Sequence, residues 1–362
     1  MTNKIIYGFL ILIICFSCGE MENEYVCTPC GLSCDTLFFS KPGICPHCNM
    51  DLIKKSDLPE KEELVLNEIN IQEGSDQFII EGGIGNTDKT ITIYYYKPRN
   101  FQATSKILMV IPGAGRNGDS YRDAWIEEAD KYNILILSPM YNREEYDFAH
   151  YHMCGLISDL NLSESIVYDD HSNIAKLNEK VFTFNLNPNA EEWIFNDFDR
   201  IFDLAIEIVH STQTQYEIFG HSAGGQILHR FAIFHKESKA NRIIAANSGF
   251  YTLVNLKNEL PFGVKNTSLN EEDLTKVFKK KLVVFNGELD NENETGGTLL
   301  RSATVDKQGL HRLERGLFFY NAAKNKAKEL ETEFNWKHKI IPGVGHDHKK
   351  IGNAVGRYLY EN

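Results

Sequence analysis

The sequence predicts an α/β fold, a mostly parallel sheet with helices on both faces, preceded by a small cysteine-bearing module. Three observations predict it. Ile107–Ile111, Ile134–Leu137 and Tyr216–Phe219 are short, almost wholly apolar runs rather than alternating ones, as strands buried on both faces require. Helical patterns separate them, including Tyr121–Lys131 and Phe198–His210, and this alternation builds a sheet covered on both sides. Five of the eight cysteines fall between Cys27 and Cys48, which places a local metal or disulfide unit ahead of the main body.

Bulk properties narrow the function. A chain of 362 residues, 42% hydrophobic and 24% charged, can form one large globular domain with an appendage. A net charge of −12 argues against nucleic acid or an anionic membrane surface as partner.

The N-terminus reads as a targeting segment. Lys4 precedes the apolar run Ile5–Phe16, which is shorter than the ~20 residues that span a bilayer and fits a signal-peptide core, so residues 1–17 are expected to be a signal peptide. The core ends at Ser17-Cys18. A small residue before cysteine resembles a bacterial lipoprotein signal, which implies a lipidated Cys18 as the first mature residue and a membrane anchor. Residues 18–24 form an acidic tether that resembles a surface-export signal of such lipoproteins, so the expected location is the outer membrane or cell surface. A plain cleaved signal, giving a secreted or periplasmic protein, and a short membrane anchor are the alternatives.

Residues 25–53 carry Cys27-Thr28-Pro29-Cys30 and Cys45-Pro46-His47-Cys48. Paired two-residue spacings across a hairpin-length stretch suit four thiolates converging on one Zn²⁺, where the metal replaces a core that so short a segment cannot build. The expected ligands are Cys27, Cys30, Cys45 and Cys48. Cys34 could replace Cys30, and His47 reads as a neighbour. The second knuckle, Cys45-Pro46-His47-Cys48-Asn49-Met50, resembles the heavy-metal-binding modules of bacterial metal-efflux proteins. A disulfide cluster is the competing reading in an exported chain. Four thiolates leave no open position, so the zinc is structural and catalysis needs no cofactor.

Residues 54–75 are charged and read as a linker. The main domain spans 76–362. Phe78–Ile80 and Thr90–Tyr96 pair as antiparallel strands with a turn at Asn86-Thr87-Asp88. Later strands are Arg242–Ala246, Lys281–Phe285 and Trp336–Ile341, with helices at Gly224–His235, Leu313–Leu330 and Ile351–Tyr360.

Within this pattern Gly220-His221-Ser222-Ala223-Gly224 follows a strand and opens a helix, which is the context of a nucleophile elbow. Strand order and motif together resemble the α/β-hydrolase fold over roughly residues 76–362. The resemblance implies a serine, acid, histidine order. The acid should follow Lys281–Phe285, where Gly287-Glu288-Leu289-Asp290 makes Asp290 the candidate, with Glu288 and Glu292 as alternatives. The base should follow the last strand, where Gly343-Val344-Gly345-His346 makes His346 the candidate. His348 is the fallback, otherwise a surface residue. An oxyanion hole needs two backbone N–H groups: one from Ala223, the other from Ala114 or Gly115 in the Pro112-Gly113-Ala114-Gly115 loop.

Residues 141–192 are too long for a simple connection and should form a cap or pocket wall. His150, His152 and Cys154 alternate there in a way that could suggest a second metal, though pocket lining is the commoner use. With Gly220–Gly225, Gln308–Gly316 and Gly343–His346, the domain resembles secreted polyhydroxybutyrate-depolymerase-like and feruloyl-esterase-like enzymes. That resemblance implies a serine esterase with a small or polymeric ester substrate, and the chain is expected to be a monomer. The alternatives are a metal-handling surface protein with a non-catalytic scaffold, and a serine peptidase.

Overall fold

The computed structural model describes residues 25–27, 38–46, 51–57, 69–169 and 171–361. The chain divides into two compact units, Met1–Val65 and Leu66–Asn362. In the first, strands β1 (Tyr25–Cys27), β2 (Phe38–Phe39) and β3 (Leu52–Lys54) form an antiparallel sheet in the order β2-β1-β3. An isolated bridge joins Ile44 to Asp51, and the Leu52 N–H donates to the Gly43 carbonyl at 2.7 Å. Cys45, just inside that bridge, is fully buried. Cys18, Cys30, Cys34, His47 and Cys48 lie outside the described residues, as do the signal segment, the tether and the side chain of Cys27. Among the described residues no helix is long and apolar enough to cross a membrane.

The second unit begins with β4 (Gly74–Glu81), β5 (Thr90–Lys97), β6 (Ile107–Ile111) and β7 (Leu135–Tyr141). A wall segment then carries β8 (Ile157–Ser158), β9 (Ile166–Tyr168), β10 (Ile174–Leu177) and β11 (Asn185–Leu186). β12 (Tyr216–His221), β13 (Ala240–Ala246) and β14 (Leu282–Gly287) return to the main sheet. β15 (Leu299–Arg301) joins β9 and β10, and β16 (Lys337–Ile341) closes the series. The eight-stranded sheet runs β16-β14-β13-β12-β6-β7-β5-β4, with β4, β5 and β7 antiparallel neighbours and the other pairs parallel.

The apolar runs are explained by the two cores. On β6, Ile107, Met109 and Ile111 enter one cluster while Leu108 and Val110 enter the other. On β12, Ile218 and Phe219 divide the same way, and on β14 Leu282 and Val284 oppose Val283 and Phe285. A strand with cores on both faces has no solvent side, so its sequence cannot alternate. At the open edge it can: Phe78 and Ile80 of β4 are buried, whereas Gln77, Ile79 and Glu81 are exposed.

The expected helix over Tyr121–Lys131 is two helices, α1 (Gly118–Asp123) and α2 (Ile126–Tyr132). At the break Trp125 is buried and meets Phe219 edge-on at 5.4 Å, a tertiary contact that local periodicity does not encode. The wall segment holds α3 (Phe148–Tyr151) and α4 (Leu162–Ser165). α5 (Phe195–Ile208) lies near its expected position, and α6 (Ala223–Phe234) follows the elbow. α7 (Glu271–Lys279) escaped the sequence reading, although Asn270 and Asp273 form a reciprocal capping box that marks its start. α8 (Arg312–Glu329) and α9 (His348–Tyr360) complete the layers.

Candidate active site

Ser222 sits where β12 becomes α6, with φ 61° and ψ −116°. A non-glycine residue held there stores about 1–3 kcal/mol of strain that surrounding contacts must offset. Its N–H donates to the Ala246 carbonyl at 2.9 Å. The flanking glycines are required by close approach. A β-carbon on Gly220 would lie 2.4 Å from the Gly224 carbonyl oxygen, and one on Gly224 would lie 2.2 Å from that of Ile111. Gly225 is equally confined, 2.4 Å from the Ala246 oxygen.

Asp290 follows β14 in a turn closed by its N–H to the Gly287 carbonyl at 3.1 Å. It is fully buried and divides its two oxygens. Oδ2 lies 2.8 Å from His346 Nδ1, and Oδ1 accepts from Arg312 Nη1 at 2.9 Å. Arg312 also donates to the carbonyls of Gly297 at 2.7 Å and Thr298 at 3.0 Å. The alternatives are engaged elsewhere: Glu288 accepts the Gly343 N–H and Glu292 faces His311. The His346 N–H donates to Glu294 Oε2 at 2.6 Å, and Oε1 accepts from the Gly296 N–H at 2.7 Å. His346 Nε2 lies against Gly297, where a β-carbon would come within 2.7 Å of it.

Neither Arg312 nor Glu294 was given a role from the sequence. Arg312 lies within the quoted stretch Gln308–Gly316, but only the fold shows that its fork reaches Asp290. Glu294 lies in an irregular loop whose side-chain directions periodicity cannot supply.

Ser222 and His346 open on one cavity of about 620 Å³, which Ala114, Gly115 and Ala223 also line. The loop after β6 turns tightly, with the Arg116 N–H donating to the Gly113 carbonyl at 3.0 Å and Arg116 at φ 56°. The buried Arg116 guanidinium donates to the carbonyls of Tyr141, Asn142, Tyr146 and Asp147 and lies 4.5 Å from the Tyr151 ring centroid. Burial lowers its pKa below the usual arginine value. Arg143 Nη2 donates to the Ala114 carbonyl at 2.6 Å. The loop is thereby fastened to the segment that begins the far wall.

That wall supplies Phe148, His152, Ile166, Tyr168 and Ala175 to the cavity. His152 stacks on Phe148 at 4.3 Å. Burial, then the guanidinium charges of Arg116 and Arg230, bring its pKa down to about 3, so it is neutral. His150, by contrast, contacts Asp147 and Lys89, while the buried Cys154 thiol points at the His152 carbonyl and burial pushes its pKa up to about 12. The three side chains do not converge, and among the described residues no group of three or more His, Cys, Asp or Glu is arranged to hold a metal. His348, expected at the surface unless it served as base, instead lines the cavity and stacks on Tyr121 at 4.3 Å.

The sheet order and a serine on the strand-to-helix turn define an α/β-hydrolase. Over 100% of its length, poly(aspartic acid) hydrolase-1 from Sphingomonas sp. KT-1 is matched by 80% of this chain at 30% identity and a TM-score of 0.68. This chain belongs to the same α/β-hydrolase family and is a hydrolase. The fold is also that of LpqC, a poly(3-hydroxybutyrate) depolymerase from Bordetella parapertussis, at 22% identity and a TM-score of 0.67 over 80% of this chain and 91% of that one. Residues 39–55 match the heavy metal binding domain family. No curated protein sequence matches the chain.

Proposed function

We propose that the chain is a serine hydrolase that cleaves carboxylic esters through Ser222, His346 and Asp290. The observation that carries this reading is the 2.8 Å contact between His346 Nδ1 and Asp290 Oδ2, beside a cavity that His346 shares with the strained Ser222. His346 Nε2 takes the Ser222 hydroxyl proton as Oγ attacks the ester carbonyl. Asp290 keeps the imidazole proton on Nδ1 and offsets the positive charge that forms. The N–H groups of Ala223 and of Ala114 or Gly115 stabilise the oxyanion. The alcohol leaves with the proton held on His346. Water, deprotonated by the same base, then releases the acid from Ser222.

A second reading, amide cleavage in a polyanionic chain, is favoured by the exposed Arg143 on the cavity wall, where Asp147 is the acidic neighbour. Hydrolysis of short- and long-chain p-nitrophenyl esters, compared with poly(aspartate) degradation, separates the two. The ester reading expects ester turnover abolished by Ser222→Ala. Turnover of poly(aspartate) alone selects the second.

The N-terminal unit is read as a structural zinc ribbon held by Cys27, Cys30, Cys45 and Cys48. Support comes from the family match and from Cys45, buried just inside the Ile44–Asp51 bridge where a knuckle would begin. Zinc would supply folding free energy there and no chemistry. Cys18 is read as a lipid anchor holding the enzyme at the cell surface. Metal analysis of the wild type and a Cys45→Ser/Cys48→Ser variant tests the ribbon, and detergent partitioning of Cys18→Ala tests the anchor.

A further inference from the structure

His221 stands between Gly220 and Ser222, and it is buried with both ring nitrogens engaged. Nε2 lies 3.3 Å from Asn247 Nδ2, and Nδ1 lies 3.3 Å from Tyr121 Oη. Asn247 fixes the tautomer. Its Oδ1 accepts the Gly287 N–H at 2.9 Å, so its amide nitrogen faces the other way. That nitrogen donates to the Gly345 carbonyl at 3.1 Å and to His221 Nε2. Nε2 is therefore an acceptor, and the ring proton sits on Nδ1, donated to the Tyr121 hydroxyl. The same hydroxyl lies against Gly113, where a β-carbon would come within 2.8 Å of it. A second proton on Nε2 would meet the Asn247 N–H head-on. Burial, reinforced by His346, His348 and Arg312, holds the ring neutral.

These contacts run Gly113–Tyr121–His221–Asn247–Gly345. They join the loop after β6, which carries Ala114, to the loop after β16, which carries His346. Asn247 adds Gly287, at the end of the strand that leads to Asp290. The His221 ring also lies 4.5 Å from the His346 ring, tilted by 47°. Ser222 follows His221 directly in the chain.

We propose that His221 is a positioning residue: as a neutral Nδ1–H imidazole it holds the oxyanion loop and the His346 loop at one separation on either side of Ser222. The proposal rests on the reading of Ser222 as nucleophile. A misplacement of about 1 Å at such a site can cost about 100-fold in rate without loss of the fold.

The test compares wild type, His221→Phe, His221→Gln, Tyr121→Phe and Ser222→Ala by steady-state kinetics and by the rate of labelling with a fluorophosphonate. Phenylalanine keeps the ring but loses both hydrogen bonds. Glutamine can still accept from Asn247, and Tyr121→Phe removes only the hydroxyl. Expected are a fall in kcat of about 10- to 100-fold for His221→Phe, with KM within about threefold, and partial recovery in His221→Gln. Tyr121→Phe should lose about 3- to 10-fold in kcat. Labelling should slow in parallel. Wild-type kcat and labelling in His221→Phe and Tyr121→Phe, with Ser222→Ala inert, would overturn the proposal, as would a loss of thermal stability alone. If His221→Phe does not fold, His221→Gln and Tyr121→Phe decide the matter by the same criterion. A Ser222→Ala protein that labels and turns over like wild type instead overturns the reading of Ser222.

Discussion

Arg312 and Asp290 form an ion pair with both side chains almost wholly removed from solvent, at 2% and 0% exposure and 2.9 Å apart. The pair leaves Asp290 one oxygen for His346. It also fixes the Gly297 and Thr298 carbonyls beside the cavity, since the same guanidinium binds both. A carboxylate buried against one imidazole would be poorly compensated, and Arg312 supplies the remaining charge and hydrogen bonds.

Arg312→Ala should therefore destabilise the protein by about 3–5 kcal/mol, because it strands a buried carboxylate. Arg312→Lys should lose less, yet it cannot reach Asp290, Gly297 and Thr298 together. Urea denaturation measures this directly. A loss below about 1 kcal/mol in the alanine variant would mean that the pair is not buried as described.

Glu294 grips the His346 backbone N–H with one oxygen and the Gly296 N–H with the other. In Glu294→Gln one of these N–H groups faces an NH₂ group. The expected result is a kcat lowered about tenfold, with KM nearly unchanged, because His346, the proposed base, shifts while the cavity walls stay in place. A change confined to KM would point to a role in substrate binding instead.

Two glycines should respond differently to alanine. At Gly224 the new carbon would meet backbone oxygens of Ile111 and Pro112 at 2.2 and 2.8 Å, so Gly224→Ala should fail to accumulate as folded protein. At Gly343, with φ 67°, nothing lies within 4 Å, and Gly343→Ala should cost only the left-handed backbone, about 1–2 kcal/mol. Expression yield and thermal melting distinguish the two outcomes.

His221 and His229 are buried and His152 is half-buried, and all three are kept neutral, in each case first by desolvation, His152 with a pKa of about 3. In the unfolded chain each takes a proton near pH 6.5. Below that value the unfolded state binds more protons, so stability falls as the pH drops and is level above it. Each residue contributes up to about 1.4 kcal/mol per pH unit, and the three together about 4 kcal/mol. Melting temperature should be flat above about pH 7 and fall steeply between about pH 6.5 and 5. Equal melting temperatures at about pH 7.5 and 5.5 would contradict neutral burial.

Much of the site was legible because its candidate residues sit at the ends of strands that were themselves legible. Ser222 follows β12, Asp290 follows β14 and His346 follows β16, and each strand announces itself by an apolar run or by its place in the order. Arg312, Glu294 and Tyr121 were not, because their roles depend on where a side chain points across several loops. The break between α1 and α2 was hidden for a related reason. The sequence from Tyr121 to Lys131 reads as one helix until Trp125 finds Phe219. The place of His348 in the cavity wall is not legible, because nothing in the sequence says that Tyr121 offers it a stacking face.

The most direct test of the central claim is to treat the protein with a fluorophosphonate, digest it and locate the adduct by mass spectrometry. The expected adduct is a single phosphonyl group on Ser222, lost in Ser222→Ala and strongly slowed in His346→Ala. An adduct on Ser248, the buried serine two residues beyond Ala246, or no adduct in a protein that still hydrolyses esters, would contradict it.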